Sequence, residues 1–286
     1  MRIGNLTDLG QSAPLWQALV GFSLLVASIY VVNQITDIES DRINRKLFLL
    51  PHGYVSVRTA WILAVVCAVS GLFLASLIGL WMTILFGTGL VLGVLYNLPP
   101  ANLKNRAIGG VLANSLGHGM VTFLVGWLAA KSNQNLSFSL FGTGLTSSLA
   151  PALANGAVFL ATTIPDAQGD LQTGKKTFCV VYGPKTTALV ASLFCSLALI
   201  SSFFMENHFW VMALPSLISL GFFVNSALTA QIESAYYAFK WPVFLLSVFV
   251  ALYVPVYGVL ILITFISSRL YYRWRFGIEY PSFKSK

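Results

Sequence analysis

Asn33, Asp37 and Asp41 stand at i, i+4 and i+8 in the stretch Asn33-Gln34-Ile35-Thr36-Asp37-Ile38-Glu39-Ser40-Asp41. On a helix that spacing lines three oxygen-bearing side chains along one face. A second stretch, Asp166-Ala167-Gln168-Gly169-Asp170, again sets two carboxylates at i and i+4. The chain holds five Asp, and four of them sit in these two pairs. Oxygen donors in such pairs, with no His or Cys partner in either stretch, suit a hard octahedral cation, Mg²⁺. Mg²⁺ held by few carboxylates completes its shell with water and substrate phosphates. Arg42, Arg45, Lys104, Arg106, Lys175 and Lys176 lie in the same loops. Positive charge around a metal calls for a polyanionic ligand, and beside so apolar a chain the economical choice is a diphosphate with a lipid tail. Taken singly, either pair reads equally well as a solvated helix end, with Asp37, Glu39 and Asp41 pairing Arg42, Arg45 and Lys46. Two such pairs on one side, holding four of five Asp, favour a site.

The elements that must carry these residues are hydrophobic spans. Of 286 residues, 57% are hydrophobic and 9% charged, and the mean hydropathy is +0.78. A soluble domain carries about 25% charged residues, so the chain reads as an all-α, polytopic transmembrane bundle forming a single domain over 1–286. The net charge of +8 is met by anionic lipid headgroups beside basic loops and requires no nucleic acid. Cys67, Cys179 and Cys195 lack metal or redox spacing and read as packing residues. Eight spans are expected, at 13–34, 60–79, 81–98, 108–130, 141–164, 187–205, 209–229 and 242–268. The first leads straight into the Asn33 motif, shows no clear cleavage site and reads as retained.

Lys and Arg set the orientation. The loops 35–59, 99–107, 165–186 and 230–241 carry Arg42, Arg45, Lys46, Arg58, Lys104, Arg106, Lys175, Lys176, Lys185 and Lys240, whereas the alternate loops carry Lys131 alone. Both acidic stretches are therefore expected on the cytoplasmic side. With eight spans the basic tail (Arg269, Arg273, Arg275, Lys284 and Lys286) falls on the opposite side, an exception to the rule or a segment lying along the interface.

Asn33-x-x-x-Asp37-x-x-x-Asp41, followed by Arg42-Ile43-Asn44, resembles the first signature of the UbiA superfamily of intramembrane prenyltransferases. Asp166-Ala167-Gln168-Gly169-Asp170, running on to Gly174-Lys175-Lys176-Thr177, is similar to the second. Tyr96-Asn97-Leu98-Pro99-Pro100 with Lys104 resembles the loop between them, and Pro51, Gly53, Val55 and Ser56 resemble the segment after the first motif. The likeness covers about residues 25 to 185, with its motifs in order. It implies a helical bundle around a central cavity open to lipid. Asn33, Asp37, Asp41, Asp166 and Asp170 would hold two Mg²⁺ that bind the diphosphate of an isoprenoid donor. Arg42, Lys104 and Lys176 would contact that diphosphate, and Tyr96 would steady an allylic cation or orient the acceptor.

Three departures from the family stand out. It has nine helices, with a complete span before the one carrying the first motif; here there is room for one, so the chain reads as shortened at its N-terminus or as lacking one cavity wall. The usual Arg after the first motif is missing, and His52 stands where a small hydroxyl residue is common, a candidate contact to the acceptor. Gln34 replaces a frequent Asp, which leaves the i, i+4, i+8 set intact. His118, in Asn114-Ser115-Leu116-Gly117-His118-Gly119, reads as part of a close helix contact or as a cavity residue that reads the acceptor. The expected reaction is transfer of a polyprenyl or phytyl-type group to a hydrophobic aromatic acceptor of the quinone, tocopherol or pigment kind. A membrane terpene cyclase and a cation-coupled transporter are the alternatives. A transporter should carry its ionisable residues near mid-membrane, whereas these cluster at one mouth. Oligomeric state is not set by the sequence.

Overall fold

A computed structural model describes residues 9–44, 49–131, 138–205 and 209–280; Arg45, Lys46, Lys284 and Lys286 lie outside them. Among the described residues there is no strand, and nine helices are long and apolar enough to cross a membrane. The helices are α1 (Leu9–Thr36), short α2 (Ile38–Ile43), α3 (Val57–Ile78), α4 (Leu80–Asn97) and α5 (Ala107–Asn114). A π-helical segment (Ser115–Val121) joins α5 to α6 (Thr122–Ala130) within one span. Then follow α7 (Phe138–Gln172), α8 (Phe178–Ser202), α9 (Trp210–Thr229), α10 (Ile232–Tyr253) and α11 (Pro255–Phe276).

The additional span is at the C-terminal end. The expected span 242–268 is two helices, because Val254 is extended (φ −125°, ψ 85°). A residue before proline is pushed out of the helical region, and Pro255 then opens the next helix. What reads as a polar loop at 230–241 is the start of α10, where Lys240 caps the ring of Tyr236 at 5.2 Å. The extra crossing returns Arg269, Arg273 and Arg275 to the end of the bundle that carries the acidic motifs. The Phe276 ring at the close of α11 meets that of Tyr54, just after the first motif, tilted by 40° at 4.6 Å. The basic tail thus ceases to be an exception.

Two lobes build the core. One joins α1, α3, α4 and α6 through Leu25, Ala75, Met82, Phe86 and Val125. The other joins α5, α7, α8, α9 and α10 through Val111, Leu160, Ala191, Phe223 and Ala238. Many of the buried residues are Ala or Ser, which let helices approach closely where lipid gives little hydrophobic drive for association. Cys67, Cys179 and Cys195 are buried and unpaired, consistent with a packing role. Between the lobes lies the cavity, with α1 and α6 on one wall and α7 on the other.

Candidate active site

The cavity has a volume of about 730 Å³ and is lined at its mouth by Asn33, Asp37, Asp41, Asp166 and Asp170 together. The two motifs reach it differently. The first is not one continuous helix: α1 ends at Thr36, Asp37 leaves the helical region (φ −111°, ψ 8°), and α2 resumes at Ile38. The second does not open a loop as the sequence suggests. α7 runs through Pro165 to Gln172, so Asp166 and Asp170 lie one turn apart on a single helix.

Asn44 joins the motifs. Its amide donates to the Asp166 carbonyl (3.5 Å), and its oxygen accepts from the Gly169 N–H (3.2 Å). A Cβ on Gly169 would collide with Asn44 Oδ1 and come within 2.6 Å of its Cγ, so a side chain there would displace Asn44 from this bridge. On the other side Asn97, fully buried, accepts from Asn33 Nδ2 (2.9 Å), which also donates to Asp37 Oδ2 (3.0 Å). Asn97 is itself held by the Gly93 carbonyl at 3.0 Å. The carboxylates are thus fixed from three helices.

Two lysines enter from separate loops. Lys104 Nζ lies 2.7 Å and Lys175 Nζ 2.5 Å from Asp37 Oδ1. Lys104 also donates to Thr36 Oγ1 (2.5 Å), and Lys175 to Ser40 Oγ (2.7 Å). Burial alone would raise the Asp37 carboxyl, but the two ammonium groups outweigh it and hold it below its ordinary range. Burial also pulls the Lys104 ammonium below its usual value, which contact with Asp37 offsets only in part. The charged lining comprises four carboxylates (Asp37, Asp41, Asp166, Asp170) and two lysines, an excess of two negative charges.

The remaining site candidates divide. Tyr96 lines the cavity, edge-on to Phe159 at 6.5 Å. Arg42 does not: the turn after Asp41 carries it to the surface, where it pairs with Glu39 at 2.9 Å. Lys176 also faces away, and Lys175 takes the position expected of it. The backbones of Arg106 and Lys176 form a parallel bridge, and in an extended segment adjacent side chains point to opposite sides. His52 sits in an exposed turn near the Tyr54 ring (6.0 Å), outside the cavity lining. The sequence reading assigns Lys175 only a general place among the basic residues and does not single out Asn44, or Asn105, which lines the cavity. His118 and Asn155, by contrast, do face the cavity.

Among the described residues no three His, Cys, Asp or Glu side chains converge on a single point. The donors nevertheless fit Mg²⁺ in kind: oxygen only, with surplus negative charge and room for ligand oxygens. Above the mouth the walls turn apolar, with Leu15, Leu19, Phe22, Val26 and Val125 facing inward.

Comparison with known proteins places this arrangement. A 2-acyl-4-prenylphloroglucinol 6-prenyltransferase of Humulus lupulus is 33% identical over 182 residues, 60% of this chain and 43% of that protein. A homogentisate phytyltransferase of Synechocystis is 26% identical over 240 residues, covering 78% of this chain and 77% of the relative. The chain spans less than half the length of the plant relatives it matches, 43% to 48%. The fold matches that of an Archaeoglobus fulgidus UbiA homolog solved with DMAPP and Mg²⁺ (TM-score 0.62, 19% identity, 83% of this chain and 88% of that one). The sequence matches the UbiA prenyltransferase family over residues 6–248. With the family's motifs gathered at the mouth of a cavity between membrane-crossing helices, this multi-pass membrane protein belongs to the UbiA prenyltransferase family.

Proposed function

We propose that the protein transfers an isoprenoid chain from a prenyl diphosphate to a hydrophobic aromatic acceptor in a Mg²⁺-dependent reaction. The observation that carries this reading is the joining, in one cavity, of an oxygen-rich, lysine-flanked mouth to an apolar chamber. The mouth suits a diphosphate and the chamber an isoprenoid tail. The names of the relatives support the same reading, since those in hop and Synechocystis are a prenyltransferase and a phytyltransferase.

Asn33, Asp37, Asp41, Asp166 and Asp170 would hold Mg²⁺, two ions by the family resemblance. Bound there, the metal would neutralise charge building on the departing diphosphate. Lys104 and Lys175 are positioned to turn from Asp37 to the diphosphate oxygens, adding fixed positive charge where negative charge develops. Tyr96 and Phe159 present aromatic faces or edges to the region just inside the mouth, where an allylic cation would form. The apolar walls above exclude water from that cation. An electron-rich acceptor carbon then attacks, and the ring loses a proton to restore its aromaticity.

The end carrying the acidic motifs is proposed to face the cytoplasm. The return of Arg269, Arg273 and Arg275 to that end gives the basic residues a common side.

The direct test is pyrophosphate release from geranylgeranyl diphosphate by purified protein in lipid, with and without Mg²⁺. Mg²⁺-dependent release that falls roughly 10²-fold or more in both Asp37→Ala and Asp166→Ala is expected. Release independent of metal and of both Asp residues refutes the proposal, and a cyclised donor in place of a prenylated acceptor identifies a cyclase.

A further inference from the structure

Two residues at the cavity mouth carry polar atoms that the folded chain does not use. Thr177 Oγ1 and Asn105 Oδ1 are closed off from solvent and have no hydrogen-bond partner among the described residues, although both residues line the cavity. Thr177 is the sharper case, only 8% exposed as a whole residue. It is the N-cap of α8, with the extended backbone of a cap (φ −67°, ψ 166°), yet its side chain makes no capping bond. Thr is favoured at that position because its oxygen satisfies one of the first N–H groups of a helix. Here the hydroxyl is left over at the start of a 25-residue helix. Sequestering such atoms without partners is costly, so a pair of them in one mouth requires an explanation.

The two residues flank Lys175. The backbone bridge between Arg106 and Lys176 sets Asn105 beside Lys175, and Lys175 and Thr177, two apart in an extended segment, point to one side. The Lys175 ammonium is spoken for by Asp37 and Ser40. α7 fixes how far out this group lies. Its lining residues run from Asn155 and Phe159 in the chamber, through Asp166, to Asp170 at the mouth. The chain then turns, and the Lys175 N–H bonds back to the Asp170 carbonyl at 2.8 Å. Thr177 therefore belongs to the rim, at the level of Asp170 and farther from the chamber than Asp166.

We propose that Thr177 and Asn105 hold the terminal phosphate of the donor at the N-terminus of α8, and so make the site select a diphosphate over a monophosphate. This rests on the cavity being the prenyl-transfer site described above. A donor with its tail in the apolar chamber presents its ester phosphate to the inner carboxylates and its terminal phosphate to the rim. The turn of Lys175 towards the diphosphate uncovers the two atoms beside it. The Thr177 hydroxyl then donates to a phosphate oxygen, and the positive end of the α8 dipole favours the charge. Asn105 Oδ1 can only accept, so its partner is a donor that arrives with the phosphate, a water of the Mg²⁺ shell. Neither residue makes or breaks a covalent bond; both orient the leaving group.

The test is calorimetric binding of geranyl diphosphate and geranyl monophosphate to the full chain in detergent with Mg²⁺, in wild type, Thr177→Val, Thr177→Ser and Asn105→Leu. Both ligands share the tail and the inner phosphate, so their affinity ratio isolates the terminal one. Thr177→Val should weaken the diphosphate roughly tenfold or more and leave the monophosphate unchanged. Thr177→Ser, which keeps the hydroxyl, should restore the wild-type ratio, and Asn105→Leu should narrow it. The melting temperature of ligand-free Thr177→Val should not fall, because the hydroxyl makes no bond that the substitution removes. A lowered melting temperature shows a structural role and overturns the proposal, as does a Thr177→Val ratio equal to that of wild type. Wild type that binds neither geranyl ligand refutes the donor reading itself, whereas wild type that prefers the diphosphate while Thr177→Val keeps that preference refutes only this assignment.

Discussion

Adding one methyl group at Gly169 should damage the site without touching a carboxylate. The new Cβ would strike the end of the Asn44 side chain, 2.6 Å from both its Cγ and Nδ2. Asn44 would have to swing away, breaking its bonds to the Asp166 carbonyl (3.5 Å) and the Gly169 N–H (3.2 Å). Both are long, so together they are worth about 1–2 kcal/mol, a factor of roughly 5–30. That loss is a lower bound for the reaction rate, because Asn44 also sets the spacing between the two acidic motifs, and a misplacement of about 1 Å can cost about 10²-fold. Mg²⁺-dependent pyrophosphate release should therefore fall between about tenfold and a hundredfold in Gly169→Ala. Asn44→Ala should lose a similar amount, and the double variant little more than either, because both changes break the same bridge. Full additivity in that cycle, or a silent Gly169→Ala, would refute the bridging role.

Lys175→Ala should cut pyrophosphate release far more than Lys176→Ala. Lys175 contacts Asp37 and Ser40 inside the cavity, whereas Lys176 faces out; equal losses would contradict the placement. Gly126 lines the chamber, and a Cβ there meets nothing within 4 Å. Gly126→Phe should thus fold normally and shift donor preference from geranylgeranyl towards dimethylallyl diphosphate, measured by competition; an unchanged preference would place the tail elsewhere. The depressed Asp37 carboxyl contributes stability that is present above the ordinary carboxylate range and is lost as pH falls through its lower folded value. Melting temperature in detergent should accordingly drop on acidification below about pH 4, and Asp37→Asn should lessen that drop.

The acidic motifs were legible because carboxylates are rare in this chain and helical spacing is visible in one dimension. The outcome survives although the local geometry differs: α1 breaks at Asp37 and α7 continues through Pro165, yet all five donors reach the same mouth. Which lysine enters was harder to read. Lys175 and Lys176 are chemically identical neighbours, and the choice rests on a backbone bridge to Arg106, in a loop far earlier in the chain. Asn44 was similarly hidden, because its importance lies in two contacts to a distant helix. For His118 two readings stood side by side, a close helix contact and a cavity residue, and only the three-dimensional packing puts it in the cavity lining.

The span count turns on a single peptide. Residues 232–276 are apolar enough for two crossings, but Glu233 and Lys240 make the first turns of α10 resemble a loop. The hydrophobic signal then centres on the middle of the region, across the very position where the chain reverses. The break is at Val254-Pro255, where Val254 leaves the helical region and Pro255 opens α11; a proline alone does not end a helix in this chain, since Pro151 and Pro165 lie inside α7. Charge carried the same message. A tail with Arg269, Arg273 and Arg275 on the side opposite every other basic loop is costly in a membrane, and a ninth crossing removes the conflict. Where hydropathy and charge disagree about the number of spans, an unexplained basic segment is evidence for a missed reversal, here at the non-helical Val254.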